Sequence, residues 1–154
     1  MARPKKETVD YFPHDANASD GVTLTIIQSK FGNDGYAFWF RLLEILASTK
    51  GHVFNCRNTV RWQFLQAKTH LQEDTVCSLL DLLSDLDAID SALWKEKKLI
   101  WCDNLVNNVA DVYRNRRMDV PEKPISTDDN TTADVVSNTK STQTKLNKTK
   151  LNNI

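Results

Sequence analysis

Residues 36–47 set the hardest constraint on this chain. Tyr36, Trp39, Phe40, Leu43 and Leu46 fall three and four apart on one helical stripe, and Phe38, Leu42 and Ile45 widen it until most of the circumference is apolar. A helix of that kind cannot lie on a surface, so it must form the middle of a core with other elements packed around it. Arg41 and Glu44 interrupt the run, which is also too short to span a bilayer. A chain of 154 residues, 40% apolar and 26% charged, has room for one such core.

The flanking sequence supplies the surrounding elements. Val22, Ile26, Ile27 and Phe31 recur at helical spacing, with Asp20 placed to accept the first amide hydrogen bonds and Gly32 to supply a left-handed stop. Asn33 or Asp34 then caps the apolar helix, which Gly51 ends, and His52-Val-Phe-Asn-Cys56 reads as a short strand. A third helix opens at Asn58 or Thr59 and runs to about Thr69, with Val60, Phe64 and Ala67 inward and Arg61 and Lys68 toward solvent. A fourth opens at Gln72-Glu-Asp-Thr75 and turns Val76, Leu79, Leu80, Leu83 and Leu86 to the core, leaving Asp74, Ser78, Asp81 and Asp85 outside.

Ala88-Ile-Asp90 and Leu99-Ile-Trp-Cys102 then read as two strands flanking a charged tip, in which Ser91 caps one helical turn or opens a loop through Lys98. Asp103 or Asn104 caps a last helix with Leu105, Val109 and Val112 inward, which finishes in Arg114-Asn-Arg-Arg117. This order predicts a mainly α fold with a small β-hairpin wing, a winged helix-turn-helix. The chain divides into a basic leader and extended segment over 1–20, the domain over 21–118, and a polar tail over 119–154. Past Ser126 the tail is Ser, Thr, Asn, Asp and Lys, a composition that predicts disorder.

Ala2-Arg-Pro-Lys-Lys-Glu-Thr-Val-Asp-Tyr-Phe-Pro-His-Asp15, followed by Phe31-Gly-Asn-Asp-Gly-Tyr36 and an apolar helix, resembles the N-terminal domain of DnaD-like phage replication proteins and their prophage relatives. The Arg-rich end Tyr113-Arg-Asn-Arg-Arg117 fits that resemblance, which covers residues 2 to about 118. It implies a winged-helix domain in a phage or prophage replication module, acting near origin DNA and a replicative helicase loader. Fuller members of that family carry a second helical domain where this chain has its polar tail.

Enzymatic chemistry has no visible basis in the sequence. His14, His52 and His70 stand apart without metal-ligand spacing and read as surface or loop residues, and no Gly-rich phosphate loop or nucleophile with a base partner is present. Cys56, Cys77 and Cys102 form no Cys-x-x-Cys pair and read as small buried hydrophobes; their odd number predicts a reducing, cytoplasmic setting. The N-terminus lacks the apolar run of a secretory signal. No catalytic residue, metal, cofactor or membrane contact is expected.

Lys and Arg number 20 against 20 Asp and Glu, so a polyanion would have to be held by a local patch and not by bulk charge. The candidate DNA contacts are Arg3, Lys5 and Lys6 in the leader, and Arg57, Arg61 and Lys68 on or beside the third helix. To these are added Gln72 and Thr75 at the start of the fourth helix, Lys95, Lys97 and Lys98 at the wing tip, and Arg114, Arg116 and Arg117 at the end. The fourth helix, which would enter a groove, presents Glu73, Asp74, Asp81 and Asp85 and repels phosphate, so backbone contacts from the basic flanks are expected. The flexible leader has the character of an arm that enters a minor groove. Trp94 reads as core, with base stacking the other reading, and Tyr11 and Phe12 as residues tucked onto their own domain. A protein-binding adaptor or homo-oligomerisation module of the replication machinery is the alternative function.

Overall fold

A computed structural model describes residues 5–125; Arg3 and the polar tail from residue 126 onward lie outside the described residues. The fold is mainly helical, with one small antiparallel sheet. In chain order, α1 spans Val22–Ala47, β1 Phe54–Asn55, α2 Thr59–Thr69, α3 Glu73–Asp85, β2 Leu99–Ile100, α4 Asp103–Asn108 and α5 Ala110–Asn115.

The apolar helix occupies the centre, as its composition requires. Phe38, Leu42 and Leu46 of α1 are fully enclosed, and Leu65 of α2, the row Val76, Leu79, Leu80 and Leu83 of α3, Ile100 and Tyr113 close around them. Leu93, Trp101 and Val106 form a small second cluster beneath the sheet end. The upstream helix and the apolar helix are two limbs of α1, broken at Gly32, whose φ of 62° and ψ of −145° lie in a region other residues avoid. Beyond the break the limbs press together at buried Gly35, where a Cβ would come within 2.4 Å of Ile27 Cγ2. Gly21, not Asp20, stands at the N-cap of α1, and Asp20 instead ends a 3-10 turn over Ala18–Asp20.

Asn58 caps α2 as its residue type suggests, its Oδ1 accepting from the Arg61 amide at 3.0 Å. The α2 register differs from the sequence expectation. Leu65 and Thr69 are buried and Trp62 and Gln66 half-buried, whereas Val60, Phe64 and Ala67 face outward. Thr69 can serve as an inner position because its hydroxyl donates to the Leu65 carbonyl at 2.8 Å, which leaves no polar atom unsatisfied.

The wing hairpin is not formed as expected. β1 pairs with β2, Phe54 opposite Ile100 and Asn55 opposite Leu99, so the two strands are far apart in sequence. The segment 88–90 contributes only a single ladder-like bond, from the Asp90 amide to the Trp101 carbonyl at 2.8 Å. The charged tip is a helical turn, Leu93–Lys97, one of its two expected forms, but Asp90 rather than Ser91 starts it, Asp90 Oδ1 accepting from the Leu93 amide at 2.9 Å. The last helix is likewise split, α4 and α5 meeting at Val109, and Cys102 rather than Asp103 or Asn104 is its N-cap. Asp103 is engaged elsewhere, accepting from Trp101 Nε1 at 2.6 Å. No helix among the described residues is long and apolar enough to cross a membrane.

Candidate nucleic-acid interface

The outward register of α2 creates the most distinctive surface of the molecule. Its outer face carries Arg61 and Lys68 beside two apolar side chains kept in water, Val60 at 74% exposure and Phe64 at 46%. The second limb of α1 runs alongside and adds Arg41, and the turn after α1 adds Lys50. Together they border an open cleft of about 700 Å³, where Arg41, Lys50, Arg61 and Lys68 face a single carboxylate, Glu44.

Local contacts hold these cations without burying them. Arg41 Nη1 donates to the Lys68 carbonyl at 3.4 Å, which ties α1 to the C-terminal end of α2. The Arg61 guanidinium lies 5.8 Å from the centroid of the Phe54 ring, and Lys68 Nζ lies 6.0 Å from that of Phe64. Lys50 is paired at 3.4 Å with Glu7, an exposed contact of little strength. Against Glu44 in the cleft and Glu7 on Lys50, the four cations still leave a local excess of positive charge that an anion in the cleft would relieve.

The leader is strapped down over its described part. Arg116 Nη1 donates to the carbonyls of Lys6 at 2.9 Å and Thr8 at 2.7 Å, the Val9 amide donates to the Ala47 carbonyl, and the Gly51 amide to that of Glu7. Val9 is buried in the core. Residues 6–9 are therefore a fixed strap between the end of α1 and the end of α5, and Arg116 spends its guanidinium on holding it. Lys6 is paired with Asp10 at 2.7 Å, its hydrogen bond holding that carboxyl below the usual range, and Arg114 is paired with Asp111. Lys5 and Arg117 border a shallow hollow with Glu7 between them.

Around α3 the expected basic tip is largely committed. Lys95 pairs with Asp85 at 3.0 Å, Lys97 is buried, and Lys98 Nζ stands 4.4 Å over the ring of Trp94. Trp94 is core, donating its Nε1 to Asp81 at 2.8 Å, and Trp62 donates to Glu73 at the same distance. Gln72 is exposed at the N-cap of α3 and Thr75 is half-buried, on a face that otherwise shows Glu73, Asp74, Asp81 and Asp85. Arg57 is exposed ahead of α2.

The family model described as Lin1244/Lin1753-like, N-terminal, matches residues 11–105. The chain belongs to that family. No curated protein and no solved structure matches it. The span that defines the Lin1244/Lin1753-like domain runs from the extended segment before α1 into α4, so it contains all four cations of the cleft. Lys5, Lys6 and the Arg114–117 cluster lie outside it.

Sequence reasoning named Arg61 and Lys68 but missed Arg41 and Lys50, because the first interrupts an apolar helix and the second sits at a helix end, where a lone cation draws no notice. It also placed His52 on the surface. His52 is fully enclosed in this Lin1244/Lin1753-like domain: its Nδ1 lies 2.8 Å from the Leu46 carbonyl and its Nε2 2.6 Å from the Tyr113 hydroxyl. A carbonyl can only accept, so Nδ1 carries the proton and Tyr113 donates to Nε2. Burial lowers the His52 pKa and pushes the Tyr113 phenol up to about 12, which fixes both neutral. His14 is exposed, stacked on Phe40 at 4.0 Å, and His70 is an exposed left-handed cap of α2. Phe12 packs on the core while Tyr11 stays 76% exposed. Cys102 is buried and Cys56 and Cys77 half-buried, with thiol pKa values raised by burial, that of Cys56 to about 12. Among the described residues no group of His, Cys, Asp or Glu is placed to hold a metal ion.

Proposed function

We propose that this domain is a DNA-binding protein of a phage or prophage replication module that grips mainly the sugar–phosphate backbone and performs no catalysis. In this reading α2 and α3, joined by the short turn at residues 70–72, are the helix-turn-helix of a DnaD-like winged helix, and the β1–β2 sheet is the remnant of its wing. The observation that carries the reading is the convergence of Arg41, Lys50, Arg61 and Lys68 on one open cleft of a chain with no net charge. The acidic outer face of α3 turns away base-edge readout by that helix and leaves α2 as the docking surface.

Fluorescence anisotropy with labelled duplex and single-stranded DNA at two salt concentrations tests it. Each phosphate contact contributes about 0.9 to the slope of log K against log salt, so a grip by three or four cations gives a slope near −3. Absence of binding at low salt would overturn the reading. A protein-binding adaptor, self-associating or docking on a helicase loader, is the second reading, favoured by Tyr11 and Val60 standing exposed. It predicts a defined oligomer or complex by light scattering, with no affinity for duplex.

A further inference from the structure

Resting on that reading, we infer that the α1–α2 cleft is a single-strand site in which Phe64 stacks an unpaired base while the surrounding cations hold the flanking phosphates. Charge alone would serve a duplex equally well. What distinguishes this cleft is an aromatic ring left 46% exposed among four cations, with Val60 one turn earlier on the same face at 74%. In a duplex every base face is covered by its neighbours, so the ring has nothing to meet. In a single strand a base face is free, and stacking on an aromatic side chain is favourable for any base.

The neighbouring contacts suit that ligand. Lys68 Nζ hangs over the Phe64 ring at 6.0 Å from the neighbouring turn of the same helix, an exposed and flexible side chain that an arriving base displaces toward a phosphate. Arg61 precedes Phe64 by one turn and Arg41 is anchored to the Lys68 carbonyl, so charges stand at both ends of the ring's stretch of helix. Val60 offers an apolar contact of the kind a thymine methyl makes. Trp94, the other candidate for stacking, is enclosed and committed to Asp81, which leaves Phe64 to this role.

Competition between an oligo-thymidine strand and a duplex of equal length tests the inference, using the full chain, Phe64→Ala, Phe64→Leu and Phe64→Trp. The wild-type chain prefers the single strand; Ala and Leu each weaken oligo-thymidine binding roughly tenfold and narrow that preference, while Trp retains both. Because the side chain stands at the surface, thermal unfolding of the variants confirms that the fold persists. Equal affinity for the two strand forms, or a Phe64→Ala variant that binds oligo-thymidine as wild type does, overturns the inference and leaves the backbone-binding reading intact. A Leu variant that binds like wild type while Ala does not also overturns it, since apolar contact without ring stacking then accounts for the affinity. Failure to bind either form sinks the backbone-binding reading itself.

Discussion

At the scale of single residues, the His52–Tyr113 pair shows how a buried polar contact can shape stability. With the His52 ring held neutral by burial, Nδ1 donates to the Leu46 carbonyl and Nε2 accepts from the Tyr113 hydroxyl. An unfolded histidine takes up a proton near pH 6.5, whereas buried His52, its pKa lowered chiefly by desolvation, resists until a lower pH. The unfolded state therefore binds more protons across that window. Stability falls as pH drops from about 6.5 toward the depressed value and levels off below it; between about 6.5 and 10 the pair adds no pH dependence, and from pH 10 to about 12 stability falls again because folded Tyr113 holds its proton longer than the unfolded phenol. Unfolding in urea across this range should show that slope in the wild-type chain and a flatter curve in His52→Asn, which keeps a residue tolerant of the left-handed φ of 59° but cannot titrate; equal slopes would refute the assignment. Tyr113→Phe, which strips the donor from Nε2, should cost about 1–3 kcal/mol in mildly alkaline buffer. None of this was legible in the sequence, because the partners lie 61 residues apart and a histidine next to a glycine turn reads as surface.

At the scale of elements, legibility followed the strength of the apolar pattern. In α1 the crowded pattern marked a central helix but put the stripe's axis one position off, since Phe38, Leu42 and Ile45 are buried and Tyr36, Trp39 and Phe40 only half-buried, while the three-and-four row of α3 marked its buried face. The weak pattern of α2 did not: Val60 and Phe64 looked like a core stripe, but Thr69 closes its own hydrogen bond and can be buried, so the helix turns Leu65 and Thr69 inward. That change of phase is what makes the candidate cleft. The break at Gly32 was readable from residue type, whereas the need for Gly35 was not, since it comes from the first limb of α1 approaching the second. Gly35→Ala should therefore destabilise by about 1–3 kcal/mol. Ile27→Leu in the same chain, which removes the clashing Cγ2, should recover part of that loss in a thermal melt; no loss from the alanine alone would show that the limbs do not meet there. The wing was misread because β2 pairs with β1 and not with segment 88–90, while Asp90, and not Ser91, caps the helical turn of the tip and turns its other oxygen to Lys123 at 2.9 Å.

At the scale of the whole molecule, the informative quantity is the placement of charge and not its sum. Composition gives 20 cations and 20 anions, yet the fold sorts them, collecting Arg41, Lys50, Arg61 and Lys68 around one cleft and Glu73, Asp74, Asp81 and Asp85 along α3. Of the groups in the leader and at the end of α5, which linear reading favoured together with the wing tip as the DNA grip, Arg116 holds the carbonyls of Lys6 and Thr8, and Lys6 and Arg114 pair with neighbouring carboxylates. On the function proposed above, the cleft, and not the termini, holds DNA. The most direct test compares salt slopes of duplex binding for Arg41→Gln/Arg61→Gln/Lys68→Gln with those for Lys5→Gln/Lys6→Gln/Arg117→Gln. The cleft variant should lose about one unit of slope per phosphate contact removed, with a matching fall in affinity, while the terminal variant stays near wild type. A cleft variant that binds with the wild-type slope while the terminal variant loses it would contradict the account.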